Sequence, residues 1–134
     1  MPAIFIAAIS LHVLTAMFWA GTSFTLARTG GVGGELLFRP QMGAATIAVL
    51  SGGYLGHLAH AGSFGTAEQI LAVGALAALV AAGVQGAIGG RAIRSLRAGT
   101  ADEAGARSRI ATAQRIAAVL LAVTAVCMGA ARYA

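Results

Sequence analysis

Four long apolar windows run through the chain, separated by segments that carry its charges. Residues 1–27 are uncharged up to Arg28, and residues 40–67 are uncharged between Arg39 and Glu68. Residues 69–90 are uncharged between Glu68 and Arg91, and residues 116–131 between Arg115 and Arg132. A helix that crosses a bilayer needs about 20 mostly apolar residues. The windows therefore predict four helices, over roughly 3–27, 42–63, 67–90 and 111–131. The last reaches back toward Thr112 if Arg115 extends its head to the headgroup layer. The expected fold is all-α: one integral membrane four-helix bundle spanning 1–134. The first connection, RTGGVGGELLFRPQ, is rich in glycine and closes on Pro40, which suits a helix start. The second, AGSFGTAEQ, is short and predicts antiparallel neighbours. The third, GGRAIRSLRAGTADEAGARSR, is long and polar, with room for short amphipathic extensions.

Composition strengthens the membrane reading. The chain of 134 residues is 58% hydrophobic and only 10% charged, where soluble domains carry about 25% charged residues. So few charges do not cover a water-facing surface. The start, MPAIFIAAIS, has no basic leader region and reads as a retained first span. The net charge is +5 and all of the positive charge is arginine. Eight arginines fall in connections one and three, and only Arg132 lies at the opposite end. The positive-inside rule then puts both termini on the outer, periplasmic side of a bacterial inner membrane, with connections one and three cytoplasmic. The same clustering makes the basic balance a topology signal, and no nucleic-acid partner is expected.

Chemistry-bearing residues are few. Cys127 is the single cysteine, so no internal disulfide or Cys/His zinc spacing exists. The four carboxylates, Glu35, Glu68, Asp102 and Glu103, sit in connections or at span ends and make no catalytic pair. TGGVGG lacks the Lys-Ser/Thr of a phosphate loop. No catalytic residue is assigned. Gln69, Gln85 and Gln114 are expected as polar contacts between helices. The small-residue pairs Gly52/Gly56 and Gly86/Gly90 are expected as packing seams, which also allow a homo-oligomer.

The three histidines stand out, because intramembrane ionisable groups lean toward function. His12 lies in the first window, and His57 and His60 near the outer end of the second. At 1.5 Å per residue, His12 is roughly 13 Å deep, His57 roughly 9 Å and His60 roughly 4–5 Å. All three fall in the outer half. Imidazoles at similar depth on facing helices suit axial ligation of haem b, with His12 and His57 on the iron and His60 as the alternative to His57. Trp19, Gly53 and Tyr54 are the expected pocket lining. Copper held by the histidines, with Cys127 and Met128 as soft ligands, is the alternative cofactor. A histidine that merely hydrogen-bonds to a neighbouring helix is the alternative without a cofactor.

The stretch LHVLTAMFWAGTSFTLA resembles the first helix of CopD-like copper-resistance domains and HemJ-like protoporphyrinogen oxidases, small bacterial membrane proteins. Leu11, His12, Trp19 and Gly21 carry the likeness. RPQMGAATIAVLSGGYLGHL is similar to their second span, through Arg39 and Gly52 or Gly53. The HemJ resemblance implies haem b on His12; the CopD resemblance implies copper handling. The later-helix lysine of the HemJ group has no counterpart, since the chain has no lysine. The leading expectation is a small b-type cytochrome in electron transfer, with a quinone or a redox protein as partner. If an enzyme, it is a haem-dependent membrane oxidoreductase. A copper-handling protein and a non-catalytic assembly subunit are the alternatives.

Overall fold

The computed structural model describes residues 2–60, 62, 64–100 and 102–134, with the side chain of His60 outside that description. Helix α1 spans Pro2–Arg28 and α2 spans Gly34–His60. Helix α3, Thr66–Val84, runs through a π turn at Gln85–Gly89 into α4, Gly90–Ala98, and α5 spans Glu103–Ala131. These make four helical rods, each long and apolar enough to cross a membrane.

The rods extend past the apolar windows into the charged segments. Helix α2 begins eight residues before the expected start at 42 and carries Pro40 inside it rather than at its first turn. The third rod continues to Ala98, beyond 90, and α5 begins at Glu103, ahead of 111. The physical reason is that a charge ends an apolar window without ending a helix. In α4, Ala92 and Ile93 are buried while Arg91, Arg94 and Arg97 face outward, so a charged helix still buries a stripe. Gly99 then stops it in the left-handed conformation, φ 68°. Asp102 opens α5 by accepting a hydrogen bond from the Gly105 amide at 3.0 Å.

Small residues fill the interior. Ala44, Ala45, Ala48, Ala78, Ala81 and Ala117 are buried around Trp19 and Leu121. Large apolar side chains point outward instead, with Leu14, Leu50 and Val126 at 66%, 68% and 70% exposure. Close packing through alanine and glycine with leucine and valine outside suits a lipid surround, where apolar exposure carries no penalty and backbone approach supplies the attraction. Gly74 marks a close contact of α3 with α5. A Cβ there would stand 2.9 Å from Cys127 Cβ, and the Gly74 carbonyl accepts from Thr124 Oγ1 at 2.9 Å. Of the expected seams, Gly52 abuts His12 and Gly90 abuts Phe38, but Gly56 and Gly86 have open space beside them.

Helix α1 packs on α2 and on α5, and α3 packs along α5. Helices α2 and α3, joined by the short Gly62–Gly65 region, touch only slightly. The bundle therefore gapes along the α2–α3 edge. At the arginine-rich end, Arg107 ties α5 to α2: its Nη1 and Nη2 both meet the Glu35 carboxylate, with Nη2 donating to Oε2 at 2.7 Å. Nη1 also donates to the Gly31 carbonyl at 3.1 Å. The pair is partly exposed, so Glu35→Ala is expected to lower unfolding free energy by only about 1 kcal/mol, read as a shift of the denaturation midpoint in detergent.

Candidate functional site

The gap between α2 and α3 is a groove of about 840 Å³ with almost entirely apolar walls. His12 is the one imidazole among its lining residues. The α1 register aims this side chain across at α2. There Nδ1 donates to the Ala48 carbonyl at 2.8 Å, with Ser51 Oγ 3.2 Å from the same nitrogen. A carbonyl only accepts, so the neutral ring carries its proton on Nδ1 and its lone pair on Nε2. Nε2 has no hydrogen-bond partner among the described residues.

Gly52 makes this placement feasible. A Cβ at Gly52 would stand 2.8 Å from His12 Cε1 and 3.3 Å from Nδ1. No side chain fits there while the imidazole stays in place. A ring fixed through Nδ1–H to a backbone carbonyl, with Nε2 available, is the outer-shell arrangement typical of a metal-ligating histidine.

The expected site residues separate on the structure. His12, Trp19 and Gly53 line the groove. His57 and Tyr54 are exposed and do not line it. His60 closes α2, and its side chain lies outside the described residues. Met128 lines the groove from α5, while Cys127 is half-buried where α5 crosses α3. Among the described residues, no three His, Cys, Asp or Glu side chains form a group fit to hold a metal ion.

Beneath the groove sits a polar knot that joins every rod. Trp19 Nε1 donates to Gln85 Oε1 at 2.7 Å. Gln85 Nε2 donates to Ser23 Oγ at 2.7 Å and to Gln114 Oε1 at 2.9 Å. Gln41 Nε2 donates to Gln114 Oε1 at 3.1 Å, and Gln114 Nε2 donates back to Gln41 Oε1 at 3.0 Å. Ser23, Gln41 and Gln85 are fully buried, and Gln114 nearly so. Among the described residues no buried side-chain polar atom lacks a partner. The knot is thus saturated, which is what makes it a fastening. Gln85 enters it from the π turn, where the Gly90 amide bonds to the Gln85 carbonyl five residues back. Gln85 and Gln114 fulfil the expectation of interhelical contacts, whereas Gln69 is exposed. The shares of Gln41, Ser23 and Trp19 in the knot were not foreseen. The signal was present: a lone glutamine or serine inside an apolar window needs a partner.

Compared with protein-family models, curated proteins and solved structures, the chain matches none.

Proposed function

We propose that this chain is a multi-pass protein of a bacterial inner membrane that binds haem b in the α2–α3 groove, where His12 would hold the iron, and serves electron transfer. Both termini lie on the periplasmic side and the arginine-rich end faces the cytoplasm, on the positive-inside rule. Kinship with CopD-like and HemJ-like proteins is part of the same reading.

One observation carries it. His12 lines an apolar groove with Nδ1 tied to the Ala48 carbonyl and Nε2 unpartnered. The residues present fit the group. The groove walls suit a macrocycle, Gly52 and Gly53 leave the α2 wall low, and Nε2 is the neutral nitrogen that iron takes. When bound, haem supplies one-electron chemistry. The protein's own share is to hold the imidazole in one tautomer, to exclude water with alanine and leucine walls, and to keep the site within the apolar layer. A quinone or a redox protein is the natural partner for such a site. His57, exposed and off the groove, is not the second ligand favoured by this geometry.

The test is an absorption spectrum of the full chain, expressed with ample haem and purified in mild detergent, oxidised and then reduced with dithionite. A Soret band that sharpens on reduction is expected. His12→Ala should remove it, Gly52→Val should cut haem occupancy by displacing the ring, and His57→Ala should leave the spectrum unchanged. A featureless wild-type spectrum sinks the reading. Loss on His57→Ala equal to that on His12→Ala would reinstate the bis-histidine site.

A further inference from the structure

A second concavity lies at the arginine-rich end, away from the groove. It is about 310 Å³ and is lined by Ile88, Arg91, Ala92 and Ser95 from the third rod and Arg109 from α5. Two exposed arginines and a serine thus line one pocket whose wall is mostly apolar. Like charges held together without a counter-ion repel, and this end of the bundle has little to neutralise them. It carries eight arginines against three carboxylates. All three carboxylates are committed elsewhere. Glu35 and Glu103 both pair with Arg107, and Asp102 caps α5. Arg97 donates to the Glu35 carbonyl at 3.0 Å, and Arg28 lies over the Phe24 ring. Among the described residues, Arg91 and Arg109 have no such partner.

We infer that this pocket is a phosphate-binding site, and that its occupant is the phosphodiester of an anionic phospholipid headgroup. Arginine pairs with phosphate through parallel N–H donors, and Ser95 adds a neutral donor. Ile88, 40% exposed on the same wall, continues the pocket onto the apolar flank of the rod. An acyl chain has a path there that a free phosphate does not use. Basic pockets between helices at the cytoplasmic side of a membrane are suited to anionic headgroups. The site is independent of the haem reading and rests on it only for the membrane setting.

Native mass spectrometry of the full chain, delipidated in detergent, tests this with three probes. These are phosphatidylglycerol, phosphatidylcholine and inorganic phosphate. One phosphatidylglycerol per chain should bind in preference to phosphatidylcholine. Each arginine removed takes away a charge-assisted hydrogen bond and should weaken it about tenfold, so Arg91→Gln with Arg109→Gln should weaken it about 100-fold. Ser95→Ala, which changes no charge, should weaken it about two- to tenfold. The control pair Arg39→Gln and Arg94→Gln removes the same charge outside the pocket and should leave binding within about twofold. Arginine-dependent binding of inorganic phosphate, with no preference for phosphatidylglycerol, keeps the phosphate site and names free phosphate as its source. The inference is overturned if the Arg91/Arg109 variant binds all three probes like the wild type. It is equally overturned if the control pair loses as much, because the attraction is then diffuse.

Discussion

Gly31→Ala is expected to lower the unfolding free energy by about 3 kcal/mol, the largest loss among the glycine-to-alanine changes. Two separate costs meet at this residue. Its φ of +85° lies in the left-handed region, where a Cβ costs about 1–2 kcal/mol. That Cβ would also stand 2.6 Å from the Arg107 backbone oxygen and 3.2 Å from Ile110 Cβ. The Arg107 oxygen belongs to α5, so the clash is relieved only by moving a helix or the whole turn. Overpacking of this kind costs typically 1–3 kcal/mol. Movement would further stretch the bond from Arg107 Nη1 to the Gly31 carbonyl. Gly30 is the internal control. It has φ +68° but open space around it, so Gly30→Ala should show the conformational cost alone, about 1–2 kcal/mol. Reversible denaturation of both variants in the same detergent separates the two terms. Equal losses would mean that the turn does not seat against α5.

That contrast shows what was legible in the sequence and what was not. The number of helical rods could be read, because an apolar window long enough to span has few other fates. Rod ends could not, since Pro40 and the α4 arginines look like boundaries but are carried inside helices on outward faces. Glycine was legible as a packing residue only in kind. Gly52 and Gly90 approach neighbours whereas Gly56 and Gly86 do not, and Gly74, close against α5, belongs to no marked pair. The missing information is the rotation of each helix about its axis. In a soluble helix a polar stripe supplies it. Here both faces are apolar, so the stripe is absent. The histidines show the consequence. His12 was identifiable as a candidate, but its partners Ala48 and Ser51 were not. Once Gly52 is known to face α1, His57, five residues on at about 100° each, is turned about 140° away. Its exposure follows from that register.

Polar residues inside the windows recover part of the lost rotation, and Gln85→Leu tests how much of the fold they hold. Leucine is close to glutamine in volume, so the packing around the π turn persists while three hydrogen bonds disappear. Ser23 keeps its bond to the Trp19 carbonyl, and Gln114 keeps its reciprocal pair with Gln41. The group left without a partner is the Trp19 indole N–H, since Gln85 Oε1 is its acceptor. Interhelical hydrogen bonds in membranes average about 0.6 kcal/mol each, and a stranded buried donor costs about 1–3 kcal/mol. The expected loss is therefore about 2–4 kcal/mol. Trp19 is the only tryptophan in the chain, so its fluorescence reports this indole's surroundings, and emission should move to the blue. Trp19→Phe closes the cycle by removing the donor instead of the acceptor. With both substitutions nothing is stranded, and the double variant should be more stable than additivity predicts by about 1 kcal/mol or more. Strict additivity would mean that the indole and the amide are energetically independent. The knot would then be a set of separate contacts rather than the joint through which the π turn fixes the rotation of α1, and with it the direction of His12.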